Sequence, residues 1–500
     1  MALLLGIDLG TSSLKAVLMT EEGTIVSQFG QDYSIEIPSA GFAEQNPDTW
    51  WEACVCVIKQ CLSSVKAEDI TAIGFSGQMH GAVPLNANNE VVRNAILHCD
   101  QRSTKQVTQI AQTLGQDYIV NNILNPIFPG FQLASLAWMR DEELALFEEI
   151  KTVLSPKDYL RFRLTGILST EQSDASATLA YDILKEQWNK DMLSKLGLPY
   201  EIFPECLSST HIVGAISKEA AAATGLCEGT PVSAGGSDQV MQSIGNGVSQ
   251  VGEATATIGT SGQVFFPTDS PTINPNLNTH TFCGVSKGNW YTMGAMLSAG
   301  VSLKWLKGLL AVECSYAEVD RLAEPEQIGS GGLIFLPYLS GERTPHLNPD
   351  ARGSFIGLTL GKNEGSLLRS VMEGIAFAMK QCMDTCTDLG LAPKKLIASG
   401  GAVRSKLWLQ IQSDVYGMPL HLNAVEEHAA VGAAIVAGVA CGTYGSVQEA
   451  CKIVVKPKGE IIEPNMRNHK IYMEYYELFK ELYIANASSF KKLSDLERRY

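Results

Sequence analysis

The chain opens with LLLGIDLGTSSLKAVLM, residues 3–19. An apolar run ends on an acid, passes through Gly-Thr-Ser-Ser and turns apolar again. Apolar runs of this length on either side of a glycine turn predict strands. Residues 3–8, 14–20 and 25–33 therefore read as a three-stranded meander, with Glu-Glu-Gly as its second turn. Residues 47–64, PDTWWEACVCVIKQCLSS, carry a helical spacing that begins at Pro47 or Asp48. Residues 70–77 predict a strand running into a glycine turn. Residues 133–147 and the stretch after Pro156 predict helices.

The same grammar returns in the second half. Residues 229–247, GTPVSAGGSDQVMQSIGNG, predict a strand, a glycine turn and a short helix. A new meander then begins at Gly252 with GEATATIGTSGQVFFPT. Helices are expected over 298–310, 364–389 and 405–416, and a strand over 396–399 ends at Gly400-Gly401. The run AAVGAAIVAGVACG, residues 429–442, is shorter than a bilayer span and rich in Gly and Ala, so it predicts a tightly packed buried helix. The charged, aromatic tail from Asn468 predicts a surface-packed helix. No low-complexity linker interrupts the chain. A meander followed by helices occurs twice, with the boundary at residues 245–252. The expected organisation is two α/β domains, residues 1–246 and 247–500, with a ligand cleft between them.

Composition narrows the function. The 500 residues include 45% hydrophobic positions, enough for two cores. Charged residues make up 18%, as in a globular protein. A net charge of −15 argues against bulk nucleic-acid or anionic-membrane partners. The 12 cysteines show neither CxxC pairs nor zinc-finger spacing, so reduced thiols are expected. The N-terminus lacks a basic segment and a long apolar core, which leads to the expectation of a cytoplasmic protein.

The chemistry lies in the turns. In DLGTSS a tight turn aims backbone N–H groups at one spot, Gly10 permits close approach, and Thr11 and Ser12 add hydroxyls. That concavity suits phosphate. Asp8 repels phosphate, and its presence makes sense with Mg²⁺ between carboxylate and phosphate. Lys15 would add a positive charge or be solvated. A hairpin with a capping Asp is the competing reading. IGTSG, residues 258–262, lacks the acid and would cradle phosphate from the other domain. GGSDQ, residues 235–239, presents Asp238 at a helix start, as an N-cap or as a base accepting a hydroxyl proton. SGQMHG, residues 76–81, offers Gln78, Met79 and His80 as a grip on polyol hydroxyls. HCDQRS, residues 98–103, offers Asp100 and Arg102. GLTLGKN, residues 357–363, has the wrong spacing for a P-loop. GVSKG, residues 284–288, matches a hydrolase elbow but reads more easily as a hairpin turn.

These stretches together resemble the FGGY family of carbohydrate kinases, in the actin-like ATPase superfamily. The resemblance runs over nearly the whole chain, through GIDLGTSSLKAVL, AEQNPDTWW, GQMHG, LSPKDYLRFRLTG, SDASATL, IGTSG, LPYLSGERTPH, RGSFIGL, VMEGIAFA and SGGAVRSKLWLQIQSDVYG. GQMHG is similar to the family's xylulose-phosphorylating branch. The resemblance implies two actin-like, ribonuclease H-like domains and ATP with Mg²⁺. It implies Asp238 as catalytic base and Asp8 as the magnesium-associated acid. It assigns Gln78, Met79 and His80 to the sugar, with Asp100, Arg102 and Gln239 near it. It assigns Thr11, Ser12, Gly259 and Thr260 to the nucleotide phosphates and Gly400, Gly401 and Arg404 to the adenosine side. The expected reaction is phosphorylation of a ketopentose, D-xylulose first, by a homodimer. D-ribulose, L-xylulose and pentitols stand as alternatives, as do an actin-like or chaperone-like ATPase without sugar transfer and a silent sugar-binding regulator.

Three departures from the family pattern stand out, the first two expected near the sugar. His98-Cys99 stand where the branch usually has Trp-Asn. Ser237 and Gln239 flank Asp238 where the family usually has Gly or Ala and Asn. Ser135 follows PGFQLA where a lysine is usual.

Overall fold

The computed structural model describes residues 2–310, 315–497 and 499. Two mixed sheets carry the chain. The first begins with β1 (Leu3–Leu9), β2 (Ser13–Thr20) and β3 (Ile25–Asp32), an antiparallel meander. α1 (Pro47–Cys61) follows, capped by Asn46, whose side chain accepts from the Asp48 N–H. Pro47 is thus the first helical residue, where its missing N–H is harmless. β4 (Ile70–Gly77) then pairs parallel to β1. The later strands β5 (Ile212–Ala215) and β6 (Pro231–Ser233) extend the sheet, and the two-residue β7 (Gly236–Ser237) pairs with the end of β4. α2 (Asp238–Gly245) leaves directly from β7.

The second sheet repeats this order. β8 (Glu253–Ile258) and β9 (Gly262–Thr268) form a hairpin. β10 (His280–Cys283) and β11 (Trp290–Met296) form another, so GVSKG is the hairpin turn. β11 pairs with β9, and β12 (Lys395–Ser399) joins β8 in parallel as β4 joins β1. The spatial orders β3-β2-β1-β4-β6 and β11-β9-β8-β12-β13, with β13 at Leu420–His421, are the same topology used twice. This is the two-domain actin-like α/β fold.

Alternation along β1 sorts its residues. Leu5, Ile7 and Leu9 pack with Trp50, Val57, Ile73 and Tyr159 on one face. Leu4 and Gly6 face the other, where α3 (His428–Ala440) lies. A Cβ on Gly6 would stand 1.8 Å from the Ala430 carbonyl oxygen, and one on Gly245 would stand 1.8 Å from that of His428. α3 is therefore clamped between the first sheet and α2, which explains why residues Ala430–Gly438 are buried all round. The two sheets divide between residues 247 and 252, but α3 crosses back from the second half of the chain into the first lobe. A split into 1–246 and 247–500 follows the sheets and misses this helix.

The second lobe is built around the long helix Glu364–Asp388. The C-terminal helix, Met466–Glu497, lays Tyr472, Tyr476, Phe479, Tyr483 and Phe490 against it. Among the described residues no helix is long and apolar enough to cross a membrane. The 11 described cysteines are free thiols, and Cys314 lies outside the described residues.

Candidate functional site

The sheet register brings the chemistry together. Asp8 on β1 stands opposite Ser76 on β4, and Ser76 stands opposite Gly236 on β7. Two strand spacings thus separate Asp8 from the strand that feeds Asp238, about 10 Å. The Ser76 hydroxyl donates to Asp8 Oδ1 at 2.7 Å. Burial raises the Asp8 carboxyl above its ordinary value, against the pull of Ser76 and Lys15. Asp238 is the first residue of α2. Its Oδ1 is buried without a hydrogen-bond partner in the protein. Burial first, and the charge of Asp8 second, push its carboxyl up to about 7. Ser237 holds the N-cap position but makes no side-chain cap bond. The Ser237 N–H donates instead to the Ser173 hydroxyl at 2.9 Å.

That hydroxyl belongs to a buried ionic cluster. Lys157 Nζ lies 2.6 Å from Asp158, 3.0 Å from Asp174 and 3.3 Å from Glu171. Glu171 accepts from the hydroxyls of Ser173 and Ser209. Lys157 and Asp158 come from LSPKDYLRFRLTG and Asp174 from SDASATL, with Glu171 just before it, and they brace the strand that presents Asp238.

Two hairpin tips flank this centre. In the first, the Gly10 N–H donates to Ser13 O at 3.0 Å and the Tyr33 hydroxyl donates to Gly10 O at 2.6 Å. Ser12 is exposed at the tip and Thr11 is half-buried. In the second, the Gly259 N–H donates to Ser261 O at 2.9 Å, and Thr260 and Ser261 are exposed. Thr257, opposite Ser399, takes the place that Asp8, opposite Ser76, holds in the first lobe. Both Thr257 and Ser399 hydroxyls are buried without partners. Gly400 has φ +82°, and a Cβ there would lie 2.4 Å from Ile258 O. The Gly400-Gly401 segment is thereby pressed against the second hairpin.

The loop after β4 carries Gln78, Met79 and His80. His80 has φ +71°, and its ring stacks on Phe131 with centroids 3.9 Å apart. Its Nδ1 lies 2.8 Å from Ala177 O. A carbonyl only accepts, so Nδ1 carries the proton and Nε2 is left as an acceptor. Burial keeps the imidazole neutral, far below its usual pKa. Met79 is buried, with its sulfur 3.9 Å from the Tyr291 hydroxyl. Gln78 is buried, and its Oε1 and that of Gln239 have no partner.

Residues from the second half of the chain that the motif reading missed pack against this loop. The His280 ring lies 6.0 Å from Phe128, and His280 and Phe282 stack at 5.8 Å. The Arg343 guanidinium sits 5.1 Å from the Phe128 ring. Its charge helps to hold His80, His98 and His280 neutral. The Arg343 signal was present in SGERTP; His280 and Tyr291 had no motif to mark them.

Four of the expected residues are held in ion pairs. Asp100 is fully buried and the Arg102 side chain nearly so; the two are paired at 2.8 Å, with Arg102 also 2.7 Å from Glu44 and its guanidinium 3.8 Å from the Phe42 ring. Asp100 also accepts from the Ala43 N–H at 2.6 Å. Their charges satisfy one another. Lys15 is paired at 2.9 Å with Glu427, just before α3, and so bridges the first lobe to the second half of the chain. Arg404 is exposed and lies 3.8 Å from Glu426.

Among the described residues no group of three or more His, Cys, Asp or Glu forms a metal cage. The donor set, Asp8 with Asp238 nearby and hydroxyl-bearing hairpins on either side, suits a magnesium ion that takes most of its ligands from phosphate and water.

Comparison with known proteins agrees along the chain. Residues 3–245 match the N-terminal domain of the FGGY family of carbohydrate kinases, and residues 254–441 match its C-terminal domain. The chain is 34% identical to the xylulose kinase of Bacillus subtilis (strain 168) over 485 residues, 97% of each chain. It superposes on a ligand-bound xylulose kinase from Lactobacillus acidophilus with a TM-score of 0.93 at 25% identity, covering 99% of this chain and 100% of that one. A gluconate kinase from the same organism gives the same TM-score and identity, covering 98% and 99%.

Proposed function

Because the chain belongs to the FGGY family of carbohydrate kinases, we propose that this sugar phosphotransferase moves the γ-phosphate of MgATP to a hydroxyl of a ketopentose, with D-xylulose as the preferred acceptor. The observation that carries the mechanism is the partnerless Oδ1 of Asp238, buried beside Asp8 at the junction of the hairpins and the pocket. The nucleotide phosphates lie across the Gly10–Ser12 and Gly259–Ser261 tips, and the base lies along Gly400-Gly401. The acceptor sits between His80 and the second-lobe residues. His80 Nε2 and Gln78 Oε1 accept from its hydroxyls. Asp238 orients the attacking hydroxyl and takes its proton as the loose transition state forms. Bound magnesium would neutralise charge on the phosphates, and Asp8 is the residue placed to hold its water shell. Closure of the lobes excludes water, so the acceptor hydroxyl is the available nucleophile.

A second acceptor class has its own support. Glu342, the neighbour of Arg343, is pushed up to about 8 by burial and accepts from the N–H groups of Leu297 and Arg343. A protonated Glu342 leaves the Arg343 guanidinium without a full counter-charge. An aldonate carboxylate would supply one, and the gluconate kinase neighbour shows that the fold serves such a substrate class. ADP release from MgATP, measured against ketopentoses, pentitols and gluconate, separates the two readings.

A further inference from the structure

Gln45 lies between the hairpin and the loop that hold the two substrates in the reading above. It is buried, and its amide meets three groups of fixed polarity and the amide of Gln78. Its Nε2 is 2.8 Å from Thr11 O and 3.2 Å from Ser34 O. Its Oε1 is 3.0 Å from Trp50 Nε1 and 3.3 Å from Gln78 Nε2. Backbone carbonyls only accept and an indole N–H only donates, so the amide of Gln45 has one permitted orientation. The constraint passes on to Gln78. Facing an acceptor, Gln78 turns its NH₂ toward Gln45 and its carbonyl away. That carbonyl oxygen is the buried one with no partner in the protein. A buried acceptor calls for a donor, and a sugar hydroxyl is one.

We infer that Gln45 is a positioning residue. It fixes Gln78 as an acceptor for a sugar hydroxyl and ties that choice to the phosphate hairpin through Thr11. The inference rests on the carbohydrate-kinase reading. It predicts that the donor and acceptor halves of one side chain serve different substrates. The donor half holds the nucleotide hairpin, and the acceptor half orients the sugar loop. The Gln78 N–H also donates to Leu9 O at 2.8 Å, so the loops share a backbone bond that survives when the side chain is changed.

The test is steady-state kinetics of Gln45→Glu and Gln78→Leu with MgATP and the best sugar. Glutamate keeps an oxygen for Trp50 and Gln78 but sets its second oxygen against two carbonyls. The KM for MgATP is expected to rise about ten-fold while that for sugar moves less than about two-fold, the size of one hydrogen bond. Gln78→Leu is expected to do the reverse. Equal shifts of both KM values in Gln45→Glu, or no shift in either, overturn the inference. If Gln45→Glu does not fold, an unchanged sugar KM in Gln78→Leu overturns it. A parent enzyme that phosphorylates none of the sugars takes down the kinase reading and this inference with it, whereas active parent enzyme with unsplit KM values sinks the inference alone.

Discussion

Asp8 and Asp238 face one site from strands two positions apart, and the charge of the first helps to hold the second at a pKa of about 7. Two carboxylates so placed cannot both stay ionised without cost. In the proposed mechanism the pair sets the pH behaviour of the reaction.

Asp238 must be ionised to accept a proton. Its raised pKa puts the protonated, inactive form at acid pH, so kcat/KM is expected to fall below about pH 7 in the free enzyme. Replacing Asp8 with Asn removes the like charge, and the residual activity is expected to show its acid limb at lower pH. Asp238→Asn is expected to lower kcat by about 10²–10⁴-fold with a small change in sugar KM. The pH–rate profiles of the three proteins check this. An acid limb unmoved by Asp8→Asn would mean that burial alone raises Asp238.

The Asp100–Arg102 pair is a matter of stability. Asp100→Ala leaves the Arg102 guanidinium buried with Glu44 as its remaining close acid. The expected cost is about 3 kcal/mol of unfolding free energy. Denaturant unfolding reads it, and the sugar KM of the protein that remains folded is expected to stay near that of the parent.

The Lys15–Glu427 bridge is half-exposed on both sides. A double-mutant cycle of Lys15→Ala and Glu427→Ala is expected to give a coupling below about 1 kcal/mol, weakening with added salt. A larger change in the KM for MgATP than in stability would return Lys15 to the nucleotide.

Gly245 tests the clamp on α3. Valine there would drive Cβ into the His428 carbonyl, a backbone atom that cannot step aside. The expected loss is about 3 kcal/mol, at the upper end of overpacking costs. It would show as a lower denaturation midpoint, with catalysis impaired as well because α2 carries Asp238.

Much of the scaffold was legible because it is local. The meanders at β1–β3 and β8–β9, the GVSKG hairpin and the buried Ala-Gly helix each follow from spacing within one short window. The hairpins at Gly10 and Gly259 and the turn before Asp238 were legible for the same reason. What escaped was long-range. HCDQR does not reveal that Asp100 and Arg102 pair with each other and with Glu44 in the interior. Nothing near residue 428 states that the helix returns to Gly6 and Gly245. His280 and Tyr291 reach Phe131 and Met79 because the second sheet folds against the first, a relation between segments well over a hundred residues apart. Gln45 lay in view within AEQNPDTWW, but its role depends on Thr11 and Gln78, which tertiary folding brings to it.

The central claim is that the cleft transfers phosphate to a sugar. Its most direct test is ADP release from MgATP across a panel of ketopentoses, ketohexoses, pentitols, glycerol and gluconate, with Asp238→Asn as the control. Strong release with D-xylulose, lost in Asp238→Asn, is the predicted result. Release that no sugar stimulates, or that survives in Asp238→Asn, would contradict it.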